Sequence, residues 1–252
     1  MERTALPRRL TWQPGQVVAV RTETPRTKSL VLDVPGWAGH IAGQHVDIRL
    51  TAEDGYQAQR SYSIASPPDE RQVILTVERL DDGEVSPYLT EVLQEGDQLE
   101  LRGPIGGYFT WQVAAGGPLL LVAGGSGIVP LMAMIRHRAA QKSAVPTRLL
   151  YSSREFGDII YRQELEHLAA ADPTLTVVQT LTRSQPLEWT GYQRRIDRAM
   201  LAEVAWPPSA QPQAFVCGPT SLVESVASAL VQLGHDPLCV KTERFGASGG
   251  TA

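Results

Sequence analysis

A glycine-rich segment near the middle of the chain has the residue types and spacing of a phosphate-binding turn. Gly124-Gly125-Ser126-Gly127 follows the apolar run Leu119–Ala123 and precedes Pro130. Glycines allow backbone angles that other residues avoid, and a turn that enters a helix leaves backbone amides free to bind an anion. The spacing is G-x-G-x-x-P, without the third glycine of the dinucleotide-binding motif. The segment alone therefore predicts either a nucleotide site or a turn that serves only close packing.

Arg60-Ser61-Tyr62-Ser63 is a second segment whose side chains could bind a ligand. Strand alternation places Arg60 and Tyr62 on one face. There the guanidinium could pair with a phosphate, and the aromatic ring could stack on a flat ligand. The alternative interpretation is an exposed edge strand, because charged residues are common at protein surfaces.

The second half of the chain predicts strands that alternate with helices, which favours a parallel sheet covered on both faces. The predicted strands are Leu119–Ala123, Arg148–Ser152, Thr176–Thr182, Ala214–Cys217 and Cys239–Arg244, and the predicted helices are Ile128–Gln141, Arg162–Ala171, Asp197–Val204 and Ser221–Leu233. Ser221 and Glu224 have the spacing of a capping box at the start of the last helix.

Ligands of such sheets bind beyond the carboxyl ends of the strands. The segments expected at those ends are Gly124–Gly127, Ser153-Arg154, Arg183, Cys217-Gly218-Pro219 and Phe245-Gly246. Glycines, arginines, a thiol and an aromatic ring are the residue types of a binding site more than of a packed core.

The first half predicts short strands separated by turn residues. They are Val17–Arg21, Ser29–Val34, His45–Leu50, Arg60–Ile64, Val73–Arg79 and Leu99–Arg102. This pattern favours a six-stranded antiparallel β-barrel. One helix interrupts it, with Ser86 as its N-cap and Pro87 in its first turn, and its start is a second candidate phosphate site. The segment 114–118 is typical of a linker, so we expect domains at residues 1–113 and 114–252.

Composition excludes several classes of function. The 252 residues carry a net charge of −4, which argues against a nucleic-acid partner. Cys217 and Cys239 cannot form a disulfide framework and suit a reducing compartment. The five histidines have no metal-ligand spacing, so no metal site is expected. Arg8-Arg9 is interpreted as a solvated N-terminal arm, not an export signal. No run is long enough for a membrane span, and we expect a cytoplasmic protein.

Five ordered motifs carry a resemblance to a known family. They are Arg60-Ser61-Tyr62-Ser63, Gly83-Glu84-Val85-Ser86, Gly103-Pro104-Ile105-Gly106-Gly107-Tyr108-Phe109, Gly124 to Pro130, and Cys217-Gly218-Pro219. From about Gln16 to Gly246 the chain resembles the ferredoxin–NADP reductase superfamily, specifically the bacterial reductase modules that supply electrons to ferredoxins and oxygenases.

The resemblance implies an FAD site on the barrel. Arg60 would neutralise the FAD pyrophosphate, Tyr62 would stack on the isoalloxazine, and Ser63 would hydrogen-bond near its N5 atom. The amides of Gly83 to Ser86 would complete the pyrophosphate site. The FAD-binding residues so implied are Arg60, Ser61, Tyr62, Ser63, Val77, Gly83, Glu84, Val85 and Ser86.

The resemblance also implies a nicotinamide nucleotide site on the second half, with Cys217 close to the nicotinamide C4 atom. Phe245 resembles the aromatic residue that shields the flavin in relatives, although seven more residues follow it here. The residues implied for this site are Gly124, Gly125, Ser126, Gly127, Pro130, Ser153, Arg154, Arg183, Cys217, Gly218, Pro219 and Phe245. Tyr62, Ser63 and Cys217 are the implied catalytic residues.

The choice between NADPH and NADH depends on the end of the second parallel strand. An arginine there suits the 2′-phosphate of NADPH, whereas an acid suits the ribose hydroxyls of NADH. Ser153-Arg154-Glu155 offers both. Arg183 and Arg194-Arg195 add positive charge nearby and favour NADPH, unless these arginines are simply solvated surface residues.

We therefore expect hydride transfer from nicotinamide to FAD, then single-electron transfer to a separate acceptor protein such as a ferredoxin, an oxygenase component or a heme protein. Two cysteines are too few for an iron–sulfur cluster, so any cluster is expected on another chain. The alternatives are a flavin or ferric reductase acting on small acceptors, and a non-catalytic nucleotide-sensing subunit.

Overall fold

A computed structural model describes residues 10–245 of the chain. Arg8-Arg9, Gly246 and the rest of the segment after Phe245, on which expectations were placed above, lie outside the described residues.

The first half folds into an antiparallel barrel whose six strands were all predicted from the sequence. The strands are β1 (Gln13–Thr24), β2 (Thr27–Asp33), β3 (His45–Thr51), β4 (Gln57–Ser63), β5 (Val73–Glu78) and β6 (Gln98–Ile105). They are ordered β4-β3-β6-β1-β2-β5. A bridge between Ile64, just after β4, and Leu75 of β5 joins the two outer strands and closes the sheet. Alternating Val, Leu and Ile side chains fill the interior.

The helix that interrupts the barrel is shorter than a regular α-helix and is not capped as predicted. It spans only Tyr88–Val92, and Pro87 occupies the N-cap position without a side-chain cap. Ser86 Oγ instead accepts a hydrogen bond from the Leu80 amide at 3.0 Å. The prediction of a Ser86 cap is therefore wrong, because this hydroxyl closes the preceding turn instead.

The second half alternates strands and helices around a parallel sheet, as the sequence predicts. The elements are β7 (Leu119–Gly124), α1 (Ile128–Ala140), β8 (Thr147–Ser153), α2 (Arg162–Ala171), β9 (Leu175–Leu181), α3 (Arg198–Val204), β10 (Gln213–Pro219), α4 (Thr220–Gln232) and β11 (Val240–Phe245). The order β11-β10-β7-β8-β9 places β7, which leads into the glycine turn, at the centre of the sheet.

The start of helix α4 differs from the sequence expectation. Pro219 is the N-cap residue of α4 and there is no side-chain cap, so the capping box at Ser221 and Glu224 is wrong.

Helix α1 begins at Ile128, as predicted, but it is buried on more than one face. The spacing of Ile128, Leu131, Met132 and Ile135 predicts a single apolar face, whereas every residue from Ile128 to Ile135 is buried. The reason is its position between the second sheet and the barrel, where it shares a core with Ala42 and Trp111.

Within residues 10–245, no helix combines the length and the apolar character needed to cross a membrane. The same residues contain no group of three or more His, Cys, Asp or Glu side chains that could hold a metal ion.

Candidate functional site

Strand β4 carries an exposed cationic side chain, Arg60. Arg60 pairs across strands with Ile48, which points into the barrel core, but the guanidinium itself is exposed. Arg60 Nη2 donates to Glu84 Oε2 at 2.8 Å, and Tyr56 OH donates to Glu84 Oε1 at 2.8 Å. In this structure a carboxylate thus occupies the anion position that Arg60 offers.

Tyr62 and Ser63 follow Arg60 on the same strand and differ in what they can contact. Burial raises the pKa of Tyr62 to about 12, so its hydroxyl stays protonated and its ring packs beside the barrel core. Ser63 is 4% exposed, and its Oγ has no hydrogen-bond partner among the described residues. Ser61 and Ser63 share the strand face opposite Tyr62, where the Ser61 hydroxyl donates to Asp47. Of the two serines, only Ser63 has a free polar atom.

The turn Gly83–Ser86 reaches the same side of the barrel, since Glu84 touches Arg60. A Cβ atom at Gly83 would lie 2.9 Å from Ser86 Oγ, so the tight turn leaves no room for a side chain. Val77, expected among the FAD-binding residues, is fully buried in the barrel core. Only its backbone could face a ligand.

The glycine turn after β7 packs directly on the end of β10. A Cβ atom at Gly127 would lie 2.2 Å from the Cys217 carbonyl oxygen, and Gly125 has a φ of +54°, a conformation that side chains rarely adopt. The turn forms one short helical turn over Gly125–Gly127 that leads into α1. These glycines therefore have a packing role, and they also bring two candidate site segments together.

Cys217 and Glu243 are neighbours on β10 and β11. Burial, and then the nearby Glu243, raises the pKa of Cys217 well above its ordinary value, so the thiol is neutral. Cys217 is fully buried. Burial also raises the pKa of Glu243 to about 7, and its Oε2 has no hydrogen-bond partner within residues 10–245.

Sequence reasoning missed Glu243. The strand predicted for Cys239–Arg244 reads Cys-Val-Lys-Thr-Glu-Arg, so an acid beside a lysine and an arginine does not stand out in the sequence. A half-protonated carboxyl with a free oxygen, beside the strand end that carries Cys217, can exchange a proton or a hydrogen bond with a bound group.

The burial of Glu243 predicts a pH-dependent stability that a single substitution removes. The folded carboxyl keeps its proton up to a pH of about 7, whereas the unfolded one has the ordinary glutamate pKa of 4.5. The folded state therefore loses stability as pH rises through this window, by on the order of 2–3 kcal/mol between pH 5 and 8. We expect Glu243→Gln to lose this decline, as measured by urea unfolding at both pH values.

Glu224→Gln, at an exposed carboxylate paired with Arg244, is the control and should keep the wild-type decline. Equal pH dependence in the wild type and Glu243→Gln would contradict the assignment.

The ends of β8 and β9 lie side by side and hold two arginines. The Arg183 amide donates to the Arg154 carbonyl at 2.9 Å, and the Thr182 amide donates to the Ser153 carbonyl at 3.1 Å. Both arginines are exposed, and Ser153 Oγ is buried without a hydrogen-bond partner in the described part of the chain. Arg194, by contrast, pairs with Asp197, so it adds less positive charge than expected from the sequence.

The two halves meet at the glycine turn. Glu78, the last residue of β5, lies 3.9 Å from the Cβ position of Gly125. Phe245 pairs with Pro219 in the parallel sheet and packs against the core shared by both halves. The glycine turn of the parallel sheet is thus brought beside the end of β5 in the barrel.

The residues present fit two anionic cofactors. Arg60 and the Gly83–Ser86 turn suit a pyrophosphate, and the glycine turn with Arg154 and Arg183 suits the phosphates of a nucleotide. The unpaired hydroxyls of Ser63 and Ser153 are buried polar atoms that a ligand would satisfy. A barrel and a parallel sheet so equipped define a class of oxidoreductase with one flavin half and one nicotinamide half.

Comparisons with known proteins agree with this class. The family described as "Oxidoreductase FAD-binding domain" matches residues 14–110, and the family described as "Oxidoreductase NAD-binding domain" matches residues 121–228. The chain therefore belongs to the ferredoxin–NADP reductase-like oxidoreductases, with an FAD-binding and an NAD-binding domain. The resemblance found in the sequence, and the two cofactor classes it implied, are confirmed.

Two relatives illustrate the match. Ferredoxin–NADP reductase B of Sorangium cellulosum is 33% identical over 241 residues, which cover 92% of this chain and 96% of that protein. The glycine betaine monooxygenase reductase subunit of Chromohalobacter salexigens is 33% identical over 247 residues, with 94% of this chain covered. The chain spans 66% of that longer relative.

A solved structure supports the fold. The FAD/NAD-binding domain of nitric oxide dioxygenase from Vibrio cholerae superposes with a TM-score of 0.83 at 24% identity, covering 93% of this chain and 98% of that one.

Proposed function

We propose that the protein is an FAD-dependent NAD(P)H reductase that delivers single electrons to a separate acceptor protein. One observation carries this proposal: the glycine turn at the nucleotide half adjoins the end of β5 in the flavin half, with Gly125 beside Glu78. Two nucleotide cofactors bound at these places would extend toward one another. A protein that binds only one cofactor does not require the glycine turn to adjoin β5. Bound flavin supplies the chemistry of accepting a hydride and releasing electrons one at a time.

The protein's own residues position the reactants. We propose that Arg60 and the amides of the Gly83–Ser86 turn bind the FAD pyrophosphate, with Glu84 giving up its contact to Arg60 as the anion enters. Tyr62 offers a ring face, and Ser63 offers its free hydroxyl. At the second half, Gly124–Gly127 bind the nicotinamide nucleotide, and the neutral thiol of Cys217 adds no charge near the reacting ring.

The acceptor is proposed to be a separate protein such as a ferredoxin, an oxygenase component or a heme protein. Two relatives support an oxygenase system: the glycine betaine monooxygenase reductase subunit and the toluate 1,2-dioxygenase electron transfer component of Pseudomonas putida. We further propose a cytoplasmic location, supported by the two free cysteines, and a domain boundary between residues 113 and 114, supported by the unmatched interval between the two family matches.

The test is an anaerobic titration of the FAD-loaded protein with NADPH and with NADH, followed by visible absorbance. We expect the flavin to bleach with a stoichiometric amount of the preferred coenzyme. An unbleached flavin with both coenzymes would contradict the proposal and favour a nucleotide-sensing subunit. Loss of the flavin on desalting would favour a reductase that uses flavin as a substrate.

NADPH is the proposed coenzyme, and Arg154 is the residue that tests it. Arg154 is exposed, and its carbonyl is bonded to the Arg183 amide at the strand ends, where a 2′-phosphate would bind. Arg154→Ala removes about 1.5–3 kcal/mol of charge-assisted hydrogen bonding, roughly a 10- to 150-fold loss of affinity. Steady-state kinetics should show the KM for NADPH raised at least about tenfold, with the KM for NADH unchanged.

The control is Arg198→Ala, at an exposed arginine of α3, which should alter neither KM. Equal increases for both coenzymes in Arg154→Ala would show that Arg154 does not read the 2′-phosphate.

A further inference from the structure

Two side chains of the NAD-binding domain make directional hydrogen bonds to the FAD-binding domain. Arg136 of α1 donates from Nη1 to the Ala65 carbonyl at 2.7 Å. Tyr161, at the start of α2, donates its hydroxyl to Thr76 Oγ1 on β5. The guanidinium of Arg136 also lies 4.7 Å from the centroid of the Tyr161 ring, so the two contacts form one cluster.

The Tyr161 contact continues as a chain of hydroxyl groups with a defined direction. Ser29 Oγ donates to Glu23 Oε1 at 2.7 Å, and it lies 2.8 Å from Thr76 Oγ1. With the Ser29 proton directed to Glu23, Thr76 must donate to Ser29, and Tyr161 to Thr76. Tyr161, Thr76 and Ser29 are all buried, at 5% exposure or less. The chain of hydroxyl groups ends on the Glu23 carboxylate, so each hydroxyl proton has one consistent direction.

Tyr161 holds an unusual backbone conformation to reach this place. Its φ is +58°, in the left-handed region that a bulky residue adopts only where the surrounding structure compensates. Arg136 is equally constrained, because its Nε and Nη2 donate to the two carboxylate oxygens of Glu164 at 2.8 and 2.6 Å. The Tyr161 backbone conformation and the Arg136–Glu164 ion pair therefore constrain both side chains independently of their contacts with the barrel.

The contacts connect the two candidate cofactor segments by short paths. Ala65 lies two residues after Ser63, while Arg136 lies on the helix that begins directly after the glycine turn. Thr76 lies two residues before Glu78, which is adjacent to Gly125. A displacement of either contact would therefore move the glycine turn relative to β4.

Apolar packing alone does not fix this relation. The domains share a core in which Ala42, Ile74 and Trp111 of the first half pack with α1, and such packing is non-directional. Hydrogen bonds have narrow distance and angle ranges. Hydride transfer in turn depends steeply on the separation of the reacting atoms.

We propose that Arg136 and Tyr161 are positioning residues that set the distance between the coenzyme turn and the flavin strand, and so the rate of hydride transfer. The inference rests on the proposed function. Neither residue contacts the candidate cofactor segments directly, so coenzyme affinity should be nearly independent of them.

The test compares Arg136→Met and Tyr161→Phe with two matched controls inside the NAD-binding domain. Arg148 donates to the Val204 carbonyl at 2.9 Å and stacks 3.8 Å from the centroid of Trp206, so Arg148→Met removes similar chemistry without crossing between domains. Tyr192→Phe removes a hydroxyl bonded to Glu203.

Anaerobic stopped-flow of the FAD-loaded proteins with NADPH and NADH measures the flavin reduction rate and the coenzyme Kd separately. We expect the rate at saturating coenzyme to fall about 10- to 100-fold in both test variants, with Kd within about threefold of wild type. Both controls should reduce flavin at the wild-type rate. Test variants with control-like rates would overturn the proposal, even if their Tm is lower.

A second readout does not depend on activity. Hydrogen exchange of the FAD-free proteins should show faster exchange in peptides covering residues 64–76 and 125–131 in the test variants than in the controls. Equal exchange in test and control variants would overturn the proposal. A wild type that never reduces its flavin would instead contradict the proposed function, while the exchange comparison still tests the domain contacts. If Arg136→Met does not fold, Arg136→Lys and Tyr161→Phe carry the test.

Discussion

Gly127→Ala is expected to lower the rate of flavin reduction by about 100-fold or more. The added methyl would lie 2.2 Å from the Cys217 carbonyl oxygen and 2.7 Å from the Gly218 amide nitrogen. These are backbone atoms, which cannot rotate away as a side chain can. The glycine turn and the end of β10 must therefore separate, and a displacement of about 1 Å at a reacting centre can cost about 100-fold in rate.

The same substitution should lower the free energy of unfolding by about 1–3 kcal/mol, the usual cost of forcing extra volume into a packed site. Rates should be measured by anaerobic stopped-flow at a temperature where urea unfolding shows that the variant is folded. Gly107→Ala is the control, because a Cβ atom there has no neighbour within 4 Å.

Gly124→Ala provides an intermediate case and guards against a variant that does not fold. Its methyl meets the Leu222 Cδ1 atom at 2.7 Å, and that side-chain end can rotate, so a smaller loss of rate is expected. If Gly127→Ala reduced flavin as fast as Gly107→Ala, the close approach of turn and strand would have no role in catalysis.

The elements of this fold are predictable because their patterns are local. Helix α2 begins and ends at the residues expected from the sequence, and strand β4 is displaced by only a few residues. Alternation in β4 places Arg60 and Tyr62 on one face, and the Ser61 hydroxyl on the other face donates to Asp47. Local apolar periodicity and glycine or proline boundaries are sufficient for such conclusions.

Predictions failed where a local pattern competed with a tertiary contact. Ser86 has the residue type of an N-cap, but its hydroxyl is used by the Leu80 amide. Ser221 and Glu224 have capping-box spacing, yet α4 begins one residue earlier at Thr220, which places the pair at the wrong positions. Helix α1 looked amphipathic, although the barrel covers the side expected to be exposed.

The residues that the sequence could not reveal act through contacts distant in the chain. Glu243 owes its raised pKa to burial beside Cys217, and these residues lie on separate strands. Arg136 lies toward the end of α1, a position where the helix dipole favours any cation. Its contact with Ala65 joins residues 71 positions apart, and no local pattern encodes that pairing.

Arg60→Met is expected to weaken FAD binding by about 30- to 1,000-fold. The exposed Arg60 guanidinium on β4 already binds a carboxylate, that of Glu84, at 2.8 Å. A pyrophosphate carries more negative charge than a carboxylate, and its oxygens can accept two hydrogen bonds from the guanidinium at once. Losing about 2–4 kcal/mol of charge-assisted hydrogen bonding corresponds to that range of Kd.

The measurement is the Kd for FAD, from quenching of flavin fluorescence as FAD-free protein is added. Arg49→Met is a matched control, because Arg49 makes a two-point ion pair with Glu100 at 3.0 and 2.9 Å on the neighbouring strand β3, where alternation places its side chain on the opposite sheet face. Its Kd for FAD should equal that of wild type.

Replacement of the carboxylate partner separates two contributions of Arg60. In Glu84→Gln the guanidinium remains and its competing anion is removed, so FAD should bind at least as tightly as to wild type. If Arg60→Met and Arg49→Met bound FAD equally well, Arg60 would not hold the pyrophosphate, and the Arg60–Glu84 pair would be an ordinary surface ion pair of small energetic value. Weak FAD binding in Arg60→Met alone, with the thermal stability of the FAD-free protein unchanged, would place the pyrophosphate on β4 at Arg60, beside Tyr62.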